Sequence, residues 1–439
     1  MKEILYYLGI NRKPLEAIFT PSSSAVLNYV NRPELEKKVD KALKIQGTQL
    51  IVYGHSGSGK TTLVRQALYR NKRNFIKTSC ISTTTLEELI VNAFDKLNPY
   101  YTSKRSSTFT TTISSNLESN YNSIKASLSS EYTQETSSEQ QRVLPIQLTY
   151  EKLAEFLGAA NCVWLIDDFH KVDDTEKKKL AEVMKAFVDI SNEHPKVKII
   201  AIGAVNSPRE VVNYNSELKP RLSESLIPLL SDDELRSILI NGAELLNIKF
   251  PEKLIKQTID YSNSLGSICH ILAFNHCDQS GISKTSRKKI IISNSIMSGS
   301  IEDYIKDKAD TYQEKLDSAL KQRTRKYENV KFILNAIISL DKENVNHNEI
   351  LSKIQENTKD YPQGNCTTYL KKLCSSEGHE ILRYDENSGT YSFTDPFFKA
   401  YCKMALKKIE EQPDLEISSE IIRDLINNLK IEIKTSEFK

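Results

Sequence analysis

The sequence contains Gly54-His55-Ser56-Gly57-Ser58-Gly59-Lys60-Thr61, a full match to the spacing G-x-x-x-x-G-K-[ST]. Glycines at these intervals let the backbone close around an anion, and the amides at the start of a following helix face it. In such a loop Lys60 is expected to reach the β- and γ-phosphates of a nucleoside triphosphate, and the Thr61 hydroxyl to hold Mg²⁺. Thr62, the next residue, joins Gly54 to Thr61 as a nucleotide-binding candidate. A chance Gly/Ser-rich turn would show the same letters. The flanks decide: Gln49-Leu50-Ile51-Val52-Tyr53 reads as a buried strand and Thr61 to Arg70 as a helix, the setting this loop needs.

A second candidate lies downstream. Val163-Trp164-Leu165-Ile166-Asp167-Asp168 is an apolar strand ending in two acids, the Walker B form. Asp167 is expected in the Mg²⁺ shell, and Asp168 to polarise the attacking water, because a carboxylate beside a metal-bound phosphate can orient and deprotonate it. The alternative is a buried strand running into a turn.

The elements that must position these residues alternate. An amphipathic helix ends near Gly47. Strands are expected over 49–53, 74–80, 162–167, 196–203 and, last and short, 226–229. Helices are expected over 61–70, 85–97 and from Asp173 to about Ile190. Alternating strands and helices imply a parallel sheet covered by helices on both faces, an α/β fold. Residues 1–30 read as extended. The Ser/Thr-rich stretch 102–140 reads as a surface insertion, with a weak hairpin pattern at Thr108–Ile113, or as an arm that contacts a partner.

After Leu230 the pattern turns helical. Ser231 and Glu234 have capping-box spacing, Pro251 opens a second helix, Gly266 precedes a third, and a long charged helix is expected over 301–321. Helices over 327–340, 348–355 and 365–374 then precede two short strands around Asn387-Ser388-Gly389, a hairpin with good turn chemistry. Three helices and a hairpin make a winged helix. The resulting division is 1–30 (extended segment), 31–230 (core), 231–322 (all-α lid), 323–408 (winged helix) and 409–439 (a helix near Ile417–Leu429, then a tail).

Composition narrows the class. The 439 residues, 39% hydrophobic and 27% charged, can build ordinary cores, and a net charge of +3 demands no polyanionic partner. No run approaches 18 apolar residues, and the N-terminus lacks a secretory core, so a cytoplasmic protein without membrane spans is expected. Seven cysteines in no framework spacing fit reduced thiols. Cys269-His270 and His276-Cys277 stand about 10 Å apart on a helix, too far for one tetrahedral zinc, and read as core packing.

Taken together, these residues resemble an AAA+/STAND ATPase of the origin-recognition type. Val30-Asn31-Arg32-Pro33-Glu34-Leu35 resembles the family's entry motif, with Asn31 in place of Gly; the resemblance implies that Arg32 lies beside the adenine. It also implies ATP rather than GTP, Mg²⁺, and hydrolysis of ATP to ADP and phosphate. Leu218-Lys219-Pro220-Arg221-Leu222 resembles the segment that carries an arginine finger, which makes Arg221 the candidate for a neighbour's γ-phosphate and implies self-association through the ATP sites; Arg209 is the weaker choice, and a plain surface arginine the alternative. Asn206, or Ser207, takes the sensor-1 place. The sensor-2 region, Ser264 to His270, lacks the usual arginine, leaving His270 as a substitute or a packed residue. Asp at position 168, where many AAA+ members have Glu, implies slow, switch-like turnover. Asp168-Phe169-His170, the insertion and Tyr391-Ser392-Phe393-Thr394-Asp395-Pro396-Phe397 resemble bacterial stand-alone ATPases.

Two functions compete at this stage. The first is an ATP-controlled switch or assembly factor acting on a protein partner, in bacterial defence or signalling. The second is a DNA-binding ATPase, initiator- or transposition-loader-like, using Asn365, Thr367, Thr368, Lys371, Lys372 and Arg383, with Lys321, Arg323, Arg325 and Lys326 nearby. Glu377, Glu380, Asp385 and Glu386 around the same wing would repel phosphates, which favours the switch. A metabolic P-loop kinase fits least, since no small-substrate pocket is suggested.

Overall fold

The computed structural model describes residues 12–97, 100–101, 141–142, 149–203, 216–321 and 327–411. Expectations for 1–11, the 102–140 insertion, Asn206, Ser207, Arg209, Arg323, Arg325, Lys326 and the segment beyond 411 lie outside the described residues. The chain divides into two compact units, Glu16–Leu246 with Ser264–Ser267, and Met1–Leu15 with Asn247–Asn263 and Ile268–Lys439.

The first unit holds a five-stranded sheet of β1 (Gln49–Tyr53), β2 (Asn74–Ser79), β3 (Cys162–Asp167), β4 (Lys198–Gly203) and β5 (Leu222–Leu226). Its order is β2-β3-β4-β1-β5, and every pairing is parallel. The helices that cover it are α1 (Pro33–Lys44), α2 (Lys60–Arg70), α3 (Leu86–Lys96), α4 (Tyr150–Ala159) and α5 (Asp174–Ile190), followed by α6 (Asp232–Leu246). Strand periodicity sends alternate residues to two separate cores. Leu50, Val52, Val163, Leu165, Ile200 and Ile202 pack with the apolar stripes of α1 and α2. Ile51, Trp164, Ile166, Ile199 and Ala201 pack on the other face with α3, α4 and α5. Burial on both faces explains why these strands are uninterrupted apolar runs. It also fixes the register that brings the ends of β1 and β3 to the same edge of the sheet.

The last core strand differs from the sequence expectation. It runs over Leu222–Leu226, not 226–229, because Gln49 to Tyr53 pair with Leu222 to Leu226 in turn, and Pro228 has no N–H to continue a ladder. The entry segment also departs from a fully extended reading. Leu15–Ile18 forms one helical turn, since Leu15, Ile18 and Phe19 are buried.

In the second unit, Lys13 and Thr285 exchange hydrogen bonds, so the N-terminal segment pairs with residues 283–285. The helices here are α7 (Glu252–Ser262), α8 (Gly266–Gln279, which starts in the first unit), α9 (Ile296–Asp307) and α10 (Glu314–Leu320). The expected long helix over 301–321 is interrupted by a π-helical turn, Ala309–Gln313. The reason lies in its side chains. Tyr312 donates to Asp395 at 3.0 Å, and Tyr401 donates to Gln313, so the wider turn aims both residues at the C-terminal helix. Then α11 (Asn329–Ser339), α12 (His347–Asn357) and α13 (Gln363–Leu373) precede a three-stranded antiparallel sheet of β6 (Val345–Asn346), β7 (Leu382–Asp385) and β8 (Thr390–Phe393), ordered β6-β8-β7. This is the helix and hairpin order expected above, closed by α14 (Pro396–Glu411). No described helix is long and apolar enough to cross a membrane.

One buried cation braces the sheet. Lys198, at the start of β4, donates to the carbonyls of Ile45 and Thr48 at 2.5 and 2.7 Å, where α1 ends. Burial pushes its ammonium down to about 8. The native state therefore holds fewer protons than the unfolded chain between pH 8 and 10.5, so this group makes stability rise with pH in that window. Denaturant titrations of wild type and Lys198→Met should show their difference moving in favour of wild type from pH 8 to 10, by about 3 kcal/mol at most. A pH-independent difference would contradict the assignment.

Candidate active site

The loop after β1 reaches α2 through Gly54 to Gly59. Gly54 has φ +150°, and a Cβ there would sit 2.2 Å from the carbonyl oxygen of Ile227. Gly59 caps α2 in the left-handed region, φ +83°, which turns the first amides of the helix toward the loop mouth. Lys60 folds over that mouth, its Nζ donating to the carbonyls of Gly54 at 2.9 Å and His55 at 2.7 Å. Burial lowers its pKa, while Asp168 and Asp167 pull it upward. Ser58 Oγ is buried without a hydrogen-bond partner. Among these residues an anion would find backbone amides, an ammonium group and an unsatisfied hydroxyl.

The acids arrive from β3. Asp167, its last residue, accepts from the Thr61 hydroxyl at 3.3 and 3.4 Å, from the Asp168 amide at 3.1 Å, and pairs with Lys77 Nζ at 2.6 Å. The Asp167 carbonyl accepts from the Cys80 amide, and Trp164 Nε1 donates to Thr78 at 2.9 Å, which locks β2 against β3 beneath the site. Asp168 adopts a left-handed conformation, φ +59°, and its carboxylate pairs with Lys171 at 2.7 Å. A hydroxyl and a carboxylate meeting beside a phosphate-type loop are the oxygen donors a hard divalent cation takes, so the residues fit Mg²⁺. Lys77 and Lys171 escaped the sequence reading. The signal was available only jointly, from the β2 pattern Lys77-Thr78-Ser79 and the i, i+3 spacing of Asp168 and Lys171.

The other expected residues fall as follows. Arg32 is buried among protein groups, donating to Ser58 O at 3.2 Å, Pro228 O at 3.1 Å and Leu229 O at 3.3 Å, and pairing with Glu234 at 2.8 Å. Glu234 closes the expected capping box with Ser231. Arg221 lies at the start of β5, half-exposed, with Asp189 3.8 Å away. Because β5 runs parallel to β1 from Gln49 onward, Arg221 is at the sheet end opposite the phosphate loop, about 17 Å of strand away.

In the second unit His270 is buried, and burial holds its pKa near 4, so it brings no cation at neutral pH. Cys269, His276 and Cys277 are core residues, with His276 bonded to Thr258 at 3.0 Å and Ser300 at 2.7 Å; no metal-holding cluster occurs among the described residues. Of the DNA-contact candidates, Asn365 donates to Asn329, Thr367 bonds His347 and Arg383 donates to Ser392, which leaves Lys371 and Lys372 as exposed cations on α13.

Truncating Arg32 would take the donor from three carbonyls and from one oxygen of the Glu234 carboxylate, whose other oxygen keeps the Ser231 amide. Arg32→Ala should destabilise the protein by about 3 kcal/mol, and Arg32→Lys by less, in denaturant titrations. Equal, negligible losses would show that the guanidinium is not the tie.

Residues 34–189 match the AAA ATPase domain family. No curated protein matches the sequence. Among solved structures, the chain is similar to the Walker-type ATPase PABY2304 of Pyrococcus abyssi (16% identity, 85% of this chain and 96% of that one, TM-score 0.48). It is also similar to the ORC2 protein of Aeropyrum pernix (10% identity, 91% and 100%, TM-score 0.48). A third is the RuvB Holliday junction branch migration motor of Thermotoga maritima (13% identity, 86% and 97%, TM-score 0.38). The family match, together with the phosphate loop and parallel sheet, supports a P-loop AAA+ ATPase domain.

Proposed function

We propose that this protein binds ATP with Mg²⁺, hydrolyses it slowly, and acts as a nucleotide-controlled switch or assembly factor of the AAA+/STAND type. The observation that carries the reading is the meeting of the phosphate loop with the acids of β3, the Thr61 hydroxyl 3.3 Å from Asp167. Thr61 and Asp167 would hold the Mg²⁺, which when bound neutralises charge on the phosphate oxygens. The loop amides of 54–61 bind the phosphates, with Thr62 beside them, and Lys60 leaves the Gly54 and His55 carbonyls for the β- and γ-oxygens.

Asp168 is the residue we assign to orienting the attacking water and taking its proton. Its carboxylate is paired with Lys171 through one oxygen, and the slow turnover we propose rests on Asp standing at this position. Asn206 is assigned to contact the γ-phosphate or that water. Arg221 stands before β5, at the sheet end opposite its own loop, so the phosphate it serves would belong to a second copy of the chain. That arrangement couples self-association to hydrolysis. The switch reading is preferred over a DNA-binding one because Asn365, Thr367 and Arg383 already spend hydrogen bonds inside their own unit. We place the protein in the cytoplasm, working on a protein partner.

Lys60→Ala should weaken ATP binding about ten- to hundredfold, the loss of charge-assisted hydrogen bonds to phosphate, in a titration with labelled ATP. Normal affinity would overturn the nucleotide reading. Asp168→Asn should bind ATP and not turn it over. Mixing it with Arg221→Ala should restore part of the turnover, because mixed interfaces rebuild one intact site. No restoration at any ratio would remove Arg221 from that role.

A further inference from the structure

Asp167 already has a cation. Lys77 projects from β2, where Lys77 pairs with Leu165 and Ser79 with Asp167, so its stem runs along the strand toward the edge at which Asp167 ends β3. Its ammonium stands 2.6 Å from Asp167 Oδ2, the shortest contact that carboxylate makes among the described residues. The pair is partly sheltered, with the Lys77 side chain 38% exposed and Asp167 13%. The strand beneath it is held by the Trp164–Thr78 hydrogen bond, and the Lys77 carbonyl accepts from Lys96. Lys77 is therefore placed by the sheet and is more than a wandering surface lysine.

We propose that Lys77 is a resident counter-ion of Asp167 that competes with the divalent cation and makes nucleotide binding less dependent on metal. The inference rests on the nucleotide reading of this site. Two opposed effects follow from one ion pair. Without metal, a bare Asp167 carboxylate repels the triphosphate, and Lys77 cancels that repulsion at short range. With metal, Asp167 must exchange Lys77 for the cation, so the same pair weakens binding of the metal–nucleotide complex. Lys77 thus acts as a positioning residue through Asp167, and its removal changes the two affinities in opposite directions.

The test measures dissociation constants of the full-length protein for fluorescent ATP, in excess Mg²⁺ and in EDTA. Lys77→Met should tighten binding in Mg²⁺ and weaken it in EDTA, widening the ratio of the two constants by about tenfold, the scale of one charge-assisted hydrogen bond. Lys77→Arg, which keeps the pair, should retain the wild-type ratio. A Lys77→Met protein whose two constants move together, or not at all, overturns the proposal and leaves the nucleotide site standing. A wild-type protein that binds no nucleotide in either condition overturns the site and the proposal together.

Discussion

Charge compensation at the C-terminal edge of the parallel sheet is the constraint on which the site depends. Asp167 and Asp168 end β3 side by side, and Lys77 and Lys171 pair with them while Lys60 covers the loop mouth. Two adjacent carboxylates at a half-sheltered edge repel each other, and each finds an ammonium group from the nearest element. This edge is arranged so that an incoming anion or cation must exchange existing partners. Lys60 exchanges backbone carbonyls, Asp167 exchanges a lysine, and Asp168 does the same.

The second tie is Arg32. Its guanidinium collects carbonyls from the phosphate loop and from the segment after β5, and it pairs with Glu234 in the first turn of α6. A planar fork of donors can satisfy four acceptors at once, which a lysine cannot. Movement of Ser58 when phosphate enters the loop would therefore be felt at residues 228–229 and at the start of α6. This set of contacts lies wholly within one unit.

Much of this was legible in the sequence. The phosphate loop, both β3 acids and the two-faced sheet followed from spacing and apolar runs, because burial on both faces leaves strands little choice of residue. The capping box at Ser231 and Glu234 was equally plain. The last strand was misplaced because the apolar run Leu226–Leu229 outweighed Leu222–Leu226, whose pairing is set by β1 and not by its own hydrophobicity. The π-helical turn at Ala309–Gln313 depends on Tyr401 and Asp395, far along the chain, and no local pattern shows it. Lys77 was hidden for the same reason. Its meaning comes from the neighbouring strand.

Hydrogen exchange on the full-length protein, with and without ATP and Mg²⁺, would read whether the 54–61 loop is the nucleotide site. Slower exchange is expected in the amides of 54–61, with a second response at 229–234 transmitted through Arg32. Nucleotide binding that leaves the 54–61 amides unchanged and protects some other segment would contradict it.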